Sequence, residues 1–173
     1  LTRSNIVGTV SNFVASVPVL VKGFTRPDIP AALREKVVLG VTSVNDCRYC
    51  KWGHTHWAMA NGVSIEEVNQ ILGHQTAALQ AKDAAEAAAI LFGQHYAEHN
   101  GRLDPEAVAN LREHFTAAQV DEIIAYVRAI TLGNLTGNTL DAFLSRFRSH
   151  GHTSIFFEAA VAALAAPVLT VAM

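Results

Sequence analysis

An all-α fold built as a single domain over residues 1–173 is what this sequence predicts, and three observations carry it. Apolar residues recur at three- and four-residue spacing through most of the chain. No stretch alternates with period two for long enough to need a sheet. Helix-start and helix-stop residues punctuate the periodic stretches, and no linker, low-complexity tract or clear repeat separates them. The 173 residues are 50% apolar and 16% charged with 5 prolines, which excludes a largely disordered chain and suffices for one buried core.

The chain opens at Leu1, as a fragment or an unusual start would. Val7, Val10, Phe13, Val14 and Val17 give the stretch Ile6–Val21 helical spacing. Only Arg3 precedes it as a basic leader and no clear cleavage site follows, so it reads as a packing helix rather than a signal peptide. Asp28 with Pro30 opens a helix through Asn45, with Leu33, Val37, Val41 and Val44 as its inner residues. Asn45 or Asp46 then caps a helix that carries both cysteines and stops at Asn61-Gly62. Ser64-x-x-Glu67 is a capping box for a short helix to about Gly73.

An alanine-rich helix is expected from about Lys82 to His99, halted by Asn100-Gly101. Asp104-Pro105 starts the next, and Thr116-x-x-Gln119 caps another bearing Val120, Ile123, Ile124, Val127 and Ile130. The run from Gly133 to Gly137 reads as a break, after which Leu140, Phe143, Leu144 and Phe147 mark a further amphipathic helix. The tail Ile155–Met173 has Glu158 as its one charge and Pro167 as its one proline. Alanines dominate it and no basic anchors follow, so it reads as a helix buried in a core or subunit interface, not as a membrane span.

Net charge is -2 with histidines neutral and no basic stripe is visible, so no nucleic-acid partner is expected. Two cysteines are too few for a disulfide scaffold, and a cycling thiol pair suits a reducing cytoplasm. Both lie in Cys47-Arg48-Tyr49-Cys50-Lys51-Trp52-Gly53-His54. Such a Cys-x-x-Cys pair is either a dithiol/disulfide couple or half of a metal site.

On one helix, at about 100° per residue, Cys47, Cys50 and His54 fall within roughly 60° of one another, and Trp57 and Asn61 continue the stripe. His56 lies on the opposite face, which weighs against a zinc site of Cys47, Cys50, His54 and His56. Zinc completed by an outside ligand, or two thiols acting as small core hydrophobes, stay open on this reading. The first helical turn, Arg48 and Lys51 favour a thiolate, and Asp46 opposes it. Residues three apart on a regular helix have Cβ atoms about 5–6 Å apart, beyond the roughly 3.5–4.5 Å a disulfide prefers. An oxidised pair is therefore expected to tighten or distort the first turn, as suits a turnover couple better than a staple.

With Glu35 standing eleven residues before Cys47, the set Glu35, Cys47, Cys50 and His54 resembles the signature of the AhpD-like alkylhydroperoxidase group of the carboxymuconolactone decarboxylase family. The resemblance implies an all-helical fold assembled as a homo-oligomer, a trimer or hexamer, with peroxidase activity through the cysteine pair. It makes Glu35 the base, His54 the relay, Cys50 the thiolate that attacks a small hydroperoxide and Cys47 the resolving thiol. A dithiol reductant, lipoyl or thioredoxin-like, then restores the pair. No organic cofactor, resident metal or membrane partner is expected. On its own helix wheel Glu35 lies at the edge of the apolar arc, about 60° from Val38. Tyr49 departs from the pattern, since better-studied peroxidases of the group carry a histidine there, and slower peroxide turnover follows from the difference. The alternatives are a redox-sensing pair that does not turn over and a zinc-binding structural protein of the same fold.

Two further clusters carry ligand-type residues. His95-Tyr96-Ala97-Glu98-His99 spells the inverted zinc-protease motif, and its histidines at i and i+4 can share a metal. They close a helix, where the C-terminal dipole stabilises a cation, and a protease is disfavoured. His150-Gly151-His152 reads as a loop.

Overall fold

The caps anticipated from the sequence set most helix boundaries. Ser64 Oγ accepts from the Glu67 N–H at 3.2 Å; Asp83, which the sequence did not single out as a cap, accepts on Oδ1 from Ala85 and Glu86 at 2.8 and 3.0 Å. Asp104 Oδ1 accepts from the Glu106 N–H at 2.9 Å. Thr116 and Gln119 close a reciprocal box, Thr116 N to Gln119 Oε1 at 3.0 Å and Gln119 N to Thr116 Oγ1 at 3.4 Å. The computed structural model describes residues 3–75 and 83–146, and among the described residues it is all-α, without a strand. In chain order the helices are α1 Arg3–Thr25, α2 Ala31–Asn45, α3 Arg48–Ala60, α4 Ile65–Leu72, α5 Ala84–Glu98, α6 Pro105–His114 and α7 Ala117–Arg146. Phe147, His150, His152 and the tail Ile155–Met173 lie outside the described residues.

Helix α2 is the centre of the fold, packed against α3, α4, α5 and α7. Leu33, Val37, Val38, Leu39 and Val41 are all buried, so its apolar residues surround it instead of forming one stripe. Its closest neighbour is α5. A Cβ at Gly40 would lie 2.9 Å from the Ile90 carbonyl oxygen, and one at Gly93 would lie 3.1 Å from that of Val37. The two glycines thus let the backbones meet, which larger residues would prevent. Lys36, itself buried, adds a polar tie by binding Glu67 on α4 at 2.7 Å and Glu86 on α5.

The structure departs from the sequence pattern at two helices. Helix α7 runs unbroken through Gly133–Gly137 for 30 residues. Gly137 is a site of close approach, described below, and an isolated glycine weakens a helix by only about 1 kcal/mol when neighbours hold it. On α1 the packing face is not the one expected. Thr9, Ser16 and Leu20 are buried and Phe13 packs on the core beside α7. Val7, Val10, Val14, Val17, Val21 and Phe24 remain exposed, Val7 at 72% and Phe24 at 73%. Both faces carry periodic residues, and α7 covers just one. The segment Ile6–Thr25, with mean hydropathy 1.4, is long and apolar enough to cross a membrane by length and composition. Only 22% of that apolar window is buried, and α1 packs against α7.

Candidate redox site

The turn between α2 and α3 places the thiols. Asp46 adopts φ 55, ψ 35 and its N–H bonds back to the Thr42 carbonyl, closing α2. Cys47 follows in extended backbone, φ -77 and ψ 107, and its own sulfur caps α3 by accepting from the Cys50 N–H at 3.3 Å. Neither Asn45 nor Asp46 is the cap, as the sequence had suggested. Cys47 stands outside the helix with its Cα 5.3 Å from that of Cys50, inside the ordinary range for a disulfide, and the two sulfurs are bonded. The distorted helical turn expected for a pair at this spacing is not needed. Cys47 is fully buried, whereas Cys50 keeps 8% exposure.

His54 follows Cys50 by one turn of α3 and meets Glu35 from α2, with Nδ1 2.7 Å from Glu35 Oε2. Glu35 is 3% exposed, and its other oxygen accepts from Arg34 Nε at 2.9 Å. Burial works against the Arg34 guanidinium, but its bond to Glu35 and the nearby Tyr126 outweigh that and hold its pKa above the usual range. A carboxylate can only accept, so in the neutral imidazole the Glu35 bond places the His54 proton on Nδ1 and leaves Nε2 with a lone pair. Trp57 stands edge-on to His54, ring centroids 4.9 Å apart at 82°, as one wall of the site. Asn61 ends α3 and turns its amide to the Trp57 carbonyl at 2.8 Å, away from the thiols.

The two nearby cations are occupied. Lys51 pairs with Asp46 at 2.5 Å, and Arg48 pairs with Asp141 of α7 at 2.5 Å. Both are substantially exposed, so they lend the sulfurs less positive potential than their sequence positions suggested. Tyr49 is partly buried, with its hydroxyl 2.7 Å from Arg48 and 3.2 Å from Asp141 Oδ1, and presents no base beside Cys50. His56 turns outward, Nδ1 against the Trp52 carbonyl at 2.7 Å and its ring on the exposed Trp52. The four-ligand zinc arrangement is therefore not formed.

Sequence reasoning missed Gly137. A Cβ there would fall 2.6 Å from Cys47 Sγ and 3.6 Å from Cys50 Sγ, so α7 lies directly against the disulfide. On either side of it, Asn138 donates to the Asn45 carbonyl at 2.8 Å and the buried Asn134 meets Thr42 Oγ1 at 3.2 Å. A glycine inside an otherwise helical apolar pattern was the available signal, since it usually has a packing reason.

Fold and site together define an all-helical protein with a buried dithiol/disulfide pair backed by a carboxylate–imidazole couple. The model of the carboxymuconolactone decarboxylase family matches residues 20–92. The matched segment runs from the end of α1 into α5 and includes Glu35, Cys47, Cys50 and His54. No curated protein and no solved structure matches the chain.

Proposed function

We propose that this protein is a thiol-dependent peroxidase for small hydroperoxides, using Cys50 and Cys47 as its redox pair. The observation that carries the reading is the contact of His54 Nδ1 with Glu35 Oε2 at 2.7 Å, one helical turn beyond the bonded cysteines. In the reduced protein the Cys50 thiol proton passes through a water to His54 Nε2 while Nδ1 hands its own to Glu35. The thiolate sulfur attacks the peroxide's terminal oxygen, the O–O bond breaks, and the alkoxide leaves and takes that proton as an alcohol. Cys50 is now a sulfenic acid. The Cys47 thiol attacks its sulfur, the S–S bond forms, and water departs with the Cys47 proton. A dithiol reductant, lipoyl or thioredoxin-like, reduces the disulfide and becomes a disulfide itself.

The order of attack rests on access. Of the two cysteines only Cys50 keeps any solvent exposure, and Cys47 is sealed beneath α7. Mass spectrometry after substoichiometric peroxide tests it. Cys47→Ser is expected to hold a sulfenic acid on Cys50, and Cys50→Ser to hold none. The reverse pattern would reassign the roles. A slower, redox-sensing pair is the second reading, supported by Tyr49 being tied to Arg48 and Asp141 where a base would otherwise stand. Sustained peroxide-dependent consumption of dithiothreitol at many turnovers per chain separates the two.

The working form is a homo-oligomer in the cytoplasm. Val7, Val10, Val14, Val17, Val21 and Phe24 succeed one another at three and four, the seam spacing of a coiled coil, over about 25 Å of α1. A second copy of the same seam is the occupant its register fits. β-Branched residues at both seam positions favour more than two strands, in keeping with a trimer or hexamer.

A further inference from the structure

The end of α5 carries a second cluster that the thiol chemistry does not use. His95, Glu98 and His99 lie at i, i+3 and i+4, and one donor atom from each falls within 4.8 Å of the others. The two imidazoles stack, with centroids 3.9 Å apart and planes 30° apart. They therefore face solvent side by side from one side of the helix.

We infer that His95, Glu98 and His99 form a surface site for a borderline divalent transition metal, of which zinc is the simplest. Each imidazole is already prepared as a ligand on one nitrogen. His95 Nε2 lies 3.0 Å from Asp104 Oδ2, so it carries the proton and leaves Nδ1 bare. His99 Nδ1 lies 2.8 Å from the His95 carbonyl oxygen, an acceptor only, so His99 Nε2 is bare. A ligating histidine usually has its far nitrogen fixed in this way by a carboxylate or a backbone carbonyl. Here one of each is present.

Asp104 is itself held in place, because its other oxygen caps α6 through the Glu106 N–H. The cluster also sits in the last turn of α5, where the free carbonyls favour a cation. Tetrahedral zinc with ligands at about 2.0–2.1 Å needs donors roughly 3.3 Å apart. Closing from 4.8 Å asks for modest rotation of exposed side chains, since Glu98 and His99 are exposed and His95 is half-buried. Two imidazoles and a carboxylate suit zinc, nickel or copper and do not suit magnesium. Solvent completes the coordination.

Zinc titration of the full chain with its disulfide closed tests the site, because bonded cysteines cannot compete for the metal. One zinc per chain is expected by calorimetry, with no uptake of magnesium. His95→Gln and His99→Gln should each weaken zinc at least tenfold, and the double variant should lose the site. Asp104→Asn keeps a good helix cap but removes the charge behind His95, and should cost about tenfold at unchanged stoichiometry. Circular dichroism of each variant checks that the helices persist. Wild-type zinc affinity in the double variant would place the metal elsewhere and overturn the assignment, as would no uptake by the intact chain. Neither result bears on the peroxidase reading, which needs no metal.

Discussion

Glu35 and His54, nineteen positions apart on two different helices, meet at 2.7 Å with the carboxylate buried and the imidazole at the edge of solvent. Arg34 on the far oxygen of Glu35 offsets the cost of burying that charge. The carboxylate can thus stay in the interior with one oxygen committed to the histidine. In the proposed mechanism Glu35→Gln removes the final proton acceptor while keeping the shape. Peroxide-dependent dithiol oxidation is expected to fall by about 100-fold or more, the usual weight of a positioned acid–base group. An unchanged rate would remove the relay from the mechanism.

Gly137 offers a test through the sign of an effect. An alanine in a helix interior ordinarily stabilises relative to glycine by about 1 kcal/mol. At position 137 its Cβ would meet Cys47 Sγ at 2.6 Å, so Gly137→Ala is expected to destabilise by about 1–3 kcal/mol. In a chain of this size each of those kcal/mol lowers Tm by about 2–4 °C. Adding Cys47→Ala removes the clashing sulfur and should recover part of the loss, a coupling that a double-mutant cycle in thermal melts would read.

The seam on α1 predicts assembly. Val14 is exposed at 60%, so Val14→Asp leaves the packing of the single chain intact while burying a charge in any paired seam. Light scattering is expected to show a multimer for the natural chain and a lower mass for the variant. Equal masses would show that the seam is not the interface.

Lys36 makes a prediction about alkaline stability. Burial works against its ammonium, but the bonds to Glu67 and Glu86 outweigh that and raise its pKa above 10.5. A raised folded-state value means that the contribution is complete below 10.5 and is lost as pH climbs through the folded value. Lys36→Met leaves Glu67 buried without its cation and should cost roughly 3–5 kcal/mol near neutral pH in urea unfolding. The gap between natural chain and variant is expected to narrow in steps above 10.5.

Much of the fold was legible because its signals are local. Ser64, Asp104 and the Thr116–Gln119 box cap the helices they were expected to cap, since a capping side chain reaches only two or three residues along its own backbone. The grouping of Glu35 with His54 was legible by family resemblance, through spacing alone. What failed was non-local. Tyr49 and Arg48 find Asp141 more than ninety residues away, so their apparent freedom beside the thiols was an illusion of sequence proximity. Gly133 and Gly137 looked like a helix break because glycine disrupts helices locally, whereas here one of them accommodates a sulfur from another element.

Taken alone, the sequence determined the helices, their caps and the presence of two thiols, an imidazole and a carboxylate at spacings that adjacent helices can unite. Periodicity and capping act over one or two turns, so they survive without the fold. Only the tertiary structure decided that Cys47 leaves its helix to cap it, that Cys50 keeps the exposure, and that α7 covers one face of α1 and leaves the other bare. Those outcomes depend on which surfaces meet, and burial is decided by neighbours distant in the chain.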